Sequence, residues 1–244
     1  MIKPKLISVI IPAYKQAATI VKDLTQIQKV LNQIRYPYEI IVIVDGRVDK
    51  TWAKIKPLSS PQLKPYLIKT HQGKGYTVRY GMAKAKGDYI AFIDAGREID
   101  PNGISMLLEH LEWYNADIIV GSKRHLASVV QYPWDRKILS WGYYLLVRWL
   151  FGIKVKDTQP GIKIFKRKVL EKILPRLVVK KYAFDIEMLA VAHRKGFTRI
   201  YEAPIKLEHK FGSVTDAATL NTIWHMLYDT FAVWYRLKIL KYYD

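Results

Sequence analysis

The sequence predicts an α/β fold with a mostly parallel central sheet flanked by helices. Two observations support this. Apolar runs rich in β-branched residues alternate with segments whose apolar residues recur at helical spacing. Several of these runs are continuous rather than alternating, which is typical of strands buried on both faces of a parallel sheet. The run at residues 38–44 is the clearest example, and it ends at Asp45.

The first half of the chain alternates strands with helices. Residues 6–11 form an apolar run, and the helix expected after it is predicted by the spacing of Ile20, Leu24, Ile27, Leu31 and Ile34. After the strand at 38–44, the predicted elements are a strand at 65–70, a helix at 73–85, a strand at 89–93, a helix at 101–114 and a strand at 116–121. Ligands bind such sheets at the carboxyl ends of the strands.

The second half is richer in aromatic residues. Residues 161–165 and 199–208 are predicted strands, and a helix is predicted from Phe184 to a glycine stop at Gly196. Residues 138–153 are apolar nearly all round, which suits a buried core helix and an interfacial helix equally. We expect a final amphipathic helix at 220–243, either at a membrane interface or packed on the domain. Its predicted apolar face contains Leu220, Ile223, Trp224, Leu227, Phe231 and Trp234.

Charge and cysteine content narrow the class of partner. The 244 residues include 40 Lys and Arg against 21 Asp and Glu, a formal net charge of +19. This excess predicts an anionic partner, such as nucleic acid, a phosphorylated ligand or an acidic membrane surface. The chain contains no nucleic-acid recognition module that we identify, so nucleic acid is not the expected partner. The absence of cysteine excludes disulfides, zinc–thiolate sites and thiol catalysis.

The N-terminal residues and the hydropathy pattern give expectations about location. Residues 1–6 run directly into a strand and lack the apolar stretch of a signal peptide. No window reaches the roughly 18 uncharged apolar residues that a spanning helix requires. We therefore expect a cytoplasmic protein that is peripheral on the cytosolic face of a membrane. The basic aromatic tail or a membrane partner subunit would hold it there.

The most informative motif lies at residues 86–101. A strand ends at Asp94, and Glu98 and Asp100 follow it. Hard oxygen ligands at the end of a buried strand suit Mg²⁺ or Mn²⁺, which bridge phosphate oxygens. Asp94 is therefore a candidate metal ligand, with Glu98 as a second one. The alternative interpretation is a plain strand-to-helix turn.

Several short motifs stand in a fixed order that is more specific than any one of them. They are Val9-Ile10-Ile11-Pro12-Ala13-Tyr14, Asp45-Gly46, Gly73-Lys74-Gly75, Asp94-Ala95, Asp157-Thr158-Gln159-Pro160-Gly161 and Phe184-Asp185-Ile186-Glu187. This order resembles the family 2 glycosyltransferases, which have the GT-A fold. Within that family it is similar to the polyprenyl-phosphate sugar transferases, the group with the dolichol-phosphate mannose and glucose synthases. The likeness spans about residues 8–213.

The resemblance implies an activity and its site residues. It implies an inverting transfer of a hexose from a UDP- or GDP-sugar to a polyprenyl phosphate such as dolichyl phosphate. The residues implied on the donor side are Pro12, Tyr14, Asp45 and Lys74, with Asp94 as the first carboxylate of a Mg²⁺ or Mn²⁺ site. The residues implied on the acceptor side are Arg136, Lys123, Arg124 and Lys210 for phosphates, and Asp157 and Gln159 near the transferring sugar.

Four positions in these motifs have an equally simple structural interpretation. Lys74 suits a solvated lysine in a tight turn, and Asp157 suits a loop aspartate that caps a turn. Asp185 and Glu187 would either orient the sugar or lie in the first turn of a helix, where acidic residues are favoured.

The donor motifs depart from the family pattern. The family's Asp-x-Asp is Asp94-Ala95-Gly96 in this chain, so the second metal carboxylate is missing. Lys15, Arg47 and Arg97 add positive charge around the expected diphosphate, and one hypothesis is that these cations partly replace the metal. The alternatives are a family 2 transferase with a glycan acceptor, or a catalytically silent relative that binds nucleotide.

The same resemblance predicts how the chain is divided. Residues 1–213 would form the glycosyltransferase domain, with a nucleotide-sugar-binding half at 1–125 and an acceptor-binding half at 126–213. Residues 214–244 would form the amphipathic helical tail.

Overall fold

A computed structural model describes residues 4–96, 98–130, 134–181, 183–207 and 220–244, without the side chains of 134–139 and 220–222. Within these residues the strands are β1 (Ile7–Ala13), β2 (Tyr38–Asp45), β3 (Leu63–Ile68), β4 (Tyr89–Ile93), β5 (Ile118–Ser122), β6 (Ile162–Lys166) and β7 (Ile200–Pro204). The α-helices are α1 (Ile20–Leu31), α2 (Thr51–Ile55), α3 (Lys74–Lys84), α4 (Gly103–Trp113), α5 (Trp134–Phe151), α6 (Arg167–Ile173), α7 (Phe184–Arg194) and α8 (Leu220–Lys238).

The strands form one sheet in the order β3-β2-β1-β4-β6-β5-β7. β1 pairs in parallel with β2 and β4, β2 with β3, and β5 with β7. β6 runs antiparallel to both of its neighbours, β4 and β5. The other strands therefore share one direction, and their carboxyl ends meet at a single edge. The predicted mostly parallel α/β sheet is confirmed.

Helices cover both faces of the sheet. The apolar side chains of β1, β2 and β4 alternate between two clusters, one on each face. Helices α1, α2 and α4 pack on one face, and α3, α5, α6, α7 and α8 pack on the other. In α1 the predicted periodicity is confirmed, since Ile20, Leu24, Ile27 and Leu31 are all buried.

The bounds of several elements differ from the prediction. β1 continues through Pro12 to Ala13, because its pairing with β4 ends at Ile10 and a proline without an N–H is tolerated beyond that point. β3 begins and ends two residues earlier than the predicted 65–70, and β7 ends at Pro204 rather than at 208. The short helices α2 and α6 were not predicted, because a helix of one or two turns shows little periodicity.

The C-terminal helix is shorter than predicted and presents a different face. α8 ends at Lys238, and the chain then turns so that Tyr243 is fully buried. The core-facing residues of α8 are Thr230, Val233 and Leu237. Of the predicted apolar face, Trp224 and Phe231 are exposed, and Ile223, Leu227 and Trp234 are half-buried. Trp234 packs against the core.

No helix within the described parts of the chain is long and apolar enough to cross a membrane. The predicted domain boundary at residue 213 lies outside the described residues and stays a prediction.

Candidate active site

The site lies at the edge of the sheet where the parallel strands end. Asp45 ends β2, Tyr14 follows β1 and Asp94 follows β4. The reversed strand β6 begins at this edge, because its first residue, Ile162, pairs with Ile93 at the end of β4. The loop before β6 is thereby placed against Asp94. The sheet topology thus brings together motifs that are far apart in the sequence.

Asp94 is fixed by contacts with this loop. Its backbone N–H donates to the carbonyl oxygen of Gly161 at 2.8 Å. A Cβ atom at position 161 would lie 2.0 Å from the Asp94 Oδ2 atom, so a larger residue there would displace the Asp94 carboxylate. The Oδ1 atom is buried and accepts no hydrogen bond from any residue that the structure describes. Asp94 is therefore a preorganised carboxylate with one oxygen that has no hydrogen-bond partner among the described residues.

Lys74 provides the positive charge next to Asp94. Its Nζ atom donates to Asp94 Oδ2 at 2.6 Å. Burial lowers the pKa of Lys74, but the carboxylates of Asp94 and Asp185 outweigh this effect and the pKa lies above its ordinary value. Lys74 is therefore charged at neutral pH. Lys74 is thus paired with a carboxylate and not only solvated, and its predicted role on the donor side stays a prediction.

Asp45 organises the loop that leads to Lys74. Its Oδ1 atom accepts from the backbone N–H of Gln72 at 2.8 Å, and Oδ2 accepts from that of Gly73 at 2.9 Å. His71 Nδ1 lies 2.9 Å from the same Oδ2 atom. The carboxylate is thus held by its own chain, and its predicted contact with a nucleoside stays a prediction. His71 itself was missed, because nothing in the local sequence marks it.

Tyr14 and His71 form an aromatic surface at this edge. Their ring centroids are 4.3 Å apart, and the planes are tilted by 31°. Lys15 Nζ lies 5.3 Å from the Tyr14 ring centroid. Lys15 has a φ of 54°, a left-handed conformation that is uncommon for a residue other than glycine and often marks functional turns. Pro12 lies inside β1, and the chain bends only after Ala13.

Asp157 makes the contacts of an aspartate that organises a turn. Its Oδ2 atom accepts from the backbone N–H of Lys123 at 3.0 Å, and its own N–H donates to Glu202 Oε1 at 3.0 Å. Gln159 extends away and donates through Nε2 to Met226 Sδ of α8 at 3.1 Å. These contacts support the structural interpretation of Asp157. Roles of Asp157, Gln159 and Lys123 in substrate binding stay predictions.

The predicted acceptor cations lie around α5. Arg124 follows β5 and donates to Ser140 Oγ of α5 at 2.6 Å. Arg136 belongs to the same helix, one turn before Ser140, and its side chain lies outside the described part of the molecule. Lys210 and Arg97 are also outside the described residues. The structure therefore brings Arg124 and the backbone of Arg136 to one region.

A buried ion pair between Lys163 and Asp185 supports the loop next to Asp94. The sequence analysis identified Asp185 but missed Lys163. Lys163 of β6 is fully buried and donates to the carbonyl oxygen of Pro160 and to Asp185 of α7. Burial lowers the pKa of Lys163 and raises the pKa of Asp185, and each partner opposes the shift of the other. The only signal in the sequence was a lysine inside an apolar strand.

Glu187 also has a structural position. It is buried in the first turn of α7 and accepts hydrogen bonds from the backbone N–H groups of Val178 and Val179 and from the Tyr243 hydroxyl. Burial raises its pKa, against the effect of these donors. Asp185 and Glu187 thus match the alternative of acids in a first helical turn.

Comparison with known families identifies the family of this chain. The family model described as Glycosyl transferase family 2 matches residues 8–174, more than half of the chain. The chain belongs to glycosyl transferase family 2. The predicted family and enzyme class, a glycosyltransferase, are confirmed at this level.

Curated relatives within the family are named dolichyl-phosphate beta-glucosyltransferases. The Dictyostelium discoideum protein is 31% identical over 77% of this chain and 62% of its own length. The Drosophila melanogaster protein is 30% identical over 96% of this chain and 76% of its own length. The human protein is 28% identical over 77% of this chain and 63% of its own length. The chain thus spans less than two thirds of the Dictyostelium and human proteins. The predicted similarity to dolichol-phosphate hexose synthases is confirmed.

Solved structures confirm the GT-A fold of the family 2 chain. A glucosyl-3-phosphoglycerate synthase from Mycobacterium tuberculosis in complex with UDP superposes with a TM-score of 0.70 at 17% identity, over 95% of this chain and 79% of that one. The same enzyme in complex with Mn²⁺, UDP and glucosyl-3-phosphoglycerate superposes with a TM-score of 0.68 at 18% identity, again over 95% of this chain and 79% of that one. At this identity the likeness concerns the fold alone.

The side chains that could ligate a divalent ion at this site are poorly arranged for one. One oxygen of Asp94 is already paired with Lys74. Glu98, the predicted second ligand, is exposed. Among the described residues, no group of three or more His, Asp or Glu side chains is placed to share an ion. The unpartnered Oδ1 atom of Asp94 is the single feature that favours one. The predicted Mg²⁺ or Mn²⁺ site at Asp94 and Glu98 stays a prediction.

Proposed function

We propose that this family 2 glycosyltransferase moves a hexose from a UDP- or GDP-sugar to a polyprenyl phosphate, of which dolichyl phosphate is one, at a membrane surface. The observation that carries the proposal is the similarity over 96% of the chain to a dolichyl-phosphate beta-glucosyltransferase. That similarity also favours glucose as the hexose. The carboxylate and ammonium pair at the sheet edge supplies the polar groups that such a donor requires.

The reaction is a direct displacement at the anomeric carbon. An oxygen of the lipid phosphate forms a bond to that carbon, while the bond to the nucleoside diphosphate breaks and its electron pair leaves with the diphosphate. The acceptor phosphate is anionic at neutral pH, so it needs no general base. One displacement inverts the configuration, and an α-linked donor therefore gives a β-linked product.

The residues of this chain act by positioning and charge. Lys74 faces the side where negative charge develops on the leaving diphosphate, and preorganised cations stabilise such charge in a water-poor site. Lys123, Arg124, Arg136 and Lys210 are proposed to bind the phosphates, and Asp157 and Gln159 to lie near the sugar. Tyr14 and His71 offer an aromatic surface for the nucleobase, beside Pro12 and Asp45.

The acceptor is a lipid, and exposed aromatic residues support a membrane position for this side of the molecule. On α8, Trp224, Tyr228, Phe231 and Tyr235 are exposed at helical spacing, opposite the core-facing Val233. On α5, Trp141, Leu145 and Trp149 are exposed in the same way. The two helices are neighbours, because the Tyr143 hydroxyl lies 2.8 Å from Thr230 Oγ1. We call these seven residues the aromatic face.

Basic residues accompany the aromatic face. Arg148 on α5 and Lys238 and Lys241 at the end of α8 are exposed. Aromatic residues with adjacent basic ones suit the headgroup region of an anionic membrane. We therefore propose peripheral attachment on the cytosolic face through the aromatic face. A membrane partner subunit is the alternative for the same location.

A transfer assay tests the proposed activity. The protein is incubated with labelled UDP- and GDP-hexoses and a polyprenyl phosphate, and chloroform-soluble label is measured. We expect label from one donor, with glucose preferred, and its loss in Asp94→Asn. Glu171→Gln, an exposed acid on α6, is the matched control and should keep full activity.

Other outcomes of the same assay favour other functions. Transfer to a water-soluble glycan without lipid product would favour a glycan acceptor. Nucleotide binding without any transfer would favour a catalytically silent relative.

A further inference from the structure

Lys74 places a cation of the chain itself on the carboxylate that is predicted to be the first ligand of a metal ion. Lys74 Nζ lies 2.6 Å from Asp94 Oδ2. The sequence hypothesis assigned charge replacement to Lys15, Arg47 and Arg97. Lys15 and Arg47 are exposed, and no contact of either with Asp94 is found within the described residues.

The backbone around Lys74 holds this contact in place. Gly73 has a φ of 99°, and a Cβ atom there would lie 2.7 Å from the carbonyl oxygen of Lys180. A Cβ atom on Gly75 would lie 2.6 Å from Cβ of Phe184. The N–H of Gly75 donates to the Lys180 carbonyl at 2.8 Å, which ties the first turn of α3 to the segment before α7. The start of α3 is therefore pinned.

The ammonium group has an exposed side from which a ligand can approach. The side chains of Lys74 and Asp94 are 34% and 31% exposed. On the inner side, Lys74 Nζ lies 5.8 Å from the centroid of the Phe184 ring, which is buried. The charge is thus backed by an aromatic ring and open toward the sheet edge.

We propose that Lys74 is the resident counter-cation of Asp94 and contacts the diphosphate of the donor, so that nucleotide binding does not require a divalent ion. This inference rests on the proposed function in that the donor is a nucleoside diphosphate sugar. It has a second consequence. Lys74 and a divalent ion compete for the Asp94 carboxylate, because two cations held by one carboxylate repel each other.

Nucleotide binding measured in EDTA and in Mn²⁺ tests whether binding requires a divalent ion. Binding of UDP and GDP is measured by calorimetry on the full chain. Wild type is expected to bind one of them with similar affinity in both conditions. Lys74→Met should weaken binding in EDTA roughly tenfold or more, as expected for loss of a charged hydrogen bond. Lys74→Arg keeps the charge and should retain binding. Lys84→Met, on the last turn of α3, is the matched control and should match wild type.

Mn²⁺ binding to the free protein tests the competition without any nucleotide. Electron paramagnetic resonance of free Mn²⁺ gives its dissociation constant. We expect Lys74→Met to bind Mn²⁺ roughly tenfold tighter than wild type or Lys84→Met, because Asp94 is released. Thermal unfolding of each variant shows whether the fold is kept.

Defined results overturn the inference. Nucleotide binding by wild type that is abolished by EDTA and restored by Mn²⁺ contradicts it, as does Mn²⁺ affinity that is unchanged in Lys74→Met. Chloroform-soluble product in the transfer assay together with either result would refute the role of Lys74 and leave the proposed function standing. Binding of neither UDP nor GDP in either condition refutes both.

Discussion

Gly161 lies so close to Asp94 that a side chain at position 161 would displace the Asp94 carboxylate. The Asp94 N–H donates to the Gly161 carbonyl at 2.8 Å, and a Cβ atom at 161 would lie 2.0 Å from Asp94 Oδ2. The Asp-Thr-Gln-Pro-Gly run and the end of β4 are therefore one structural unit.

Gly161→Ala is expected to displace Asp94 and lower transfer activity at least about tenfold, since small displacements at a reacting site have large effects. Overpacking should lower the free energy of unfolding by about 1 to 3 kcal/mol. Transfer rates and urea unfolding measure both. Gly142→Ala is the control, because a Cβ atom there meets nothing within 4 Å. Equal activity in the two variants would contradict the role of Gly161.

Lys163→Met should destabilise the protein strongly, because it leaves Asp185 buried without its counter-charge. A loss of about 3 to 5 kcal/mol in the free energy of unfolding is expected. The double variant Lys163→Met/Asp185→Leu should recover most of it, since no uncompensated charge remains. Urea unfolding of wild type, of the single variants Lys163→Met and Asp185→Leu, and of the double variant gives the coupling energy. Additive effects of the single changes would show that the pair is not coupled.

Tyr243→Phe should cost about 1 to 3 kcal/mol of unfolding free energy, because buried Glu187 loses a donor. The hydroxyl contact is 2.7 Å long, and Tyr243 is fully buried. Tyr242→Phe removes the same atom from a residue that is 53% exposed and should be nearly neutral. Thermal and urea unfolding of both variants make the comparison, and similar values for the two would be evidence against a buried Tyr243.

Glu112 predicts an acid-dependent loss of stability. Burial raises its pKa, but hydrogen bonds from Tyr36, Tyr89 and Arg35 outweigh this and lower the pKa from 4.5 to about 2. The folded-state pKa is depressed, so the stabilisation is present above about pH 4.5 and is lost as the pH falls toward 2.

Unfolding free energies at pH 7 and pH 3 check this expectation. Glu112→Gln should be less stable than wild type at pH 7, by on the order of 2 kcal/mol, and the gap should narrow at pH 3. Glu109→Gln, at an exposed neighbouring acid, is the control and should show a small gap at both values. A gap for Glu112→Gln that stays constant would contradict the lowered pKa.

The aromatic face predicts binding to anionic vesicles. Trp224→Ser combined with Phe231→Ser should weaken binding roughly tenfold or more, because two exposed apolar side chains leave the interface. Co-sedimentation with vesicles with and without anionic lipid measures it. Trp113→Ser is the matched control, since Trp113 is 87% exposed but lies on α4, across the sheet. Equal loss in the control variant would place the membrane contact elsewhere.

Much of the fold was predictable because the signals are local. Continuous β-branched runs marked the strands, and the spacing from Ile20 to Leu31 marked α1. The position of Asp94 was predictable, because the end of a strand in a parallel sheet lies at the edge where ligands bind.

What was missed depends on distant partners. The reversal of β6 has no local signature, since strand direction is set by the connection. Burial of Lys163 follows only from Asp185 on another element. The apolar face of α8 was misplaced because an aromatic stripe has the same periodicity whether it packs on the core or is exposed.

The antiparallel course of β6 has a consequence for engineering. Residues 157–161 enter β6 at the end where β4 leaves the sheet, so the end of this loop lies directly against Asp94. A chimaera that imports this loop from another transferase must therefore import the matching turn after β4. Screens that vary this loop alone would therefore sample mostly loops that do not fit the end of β4.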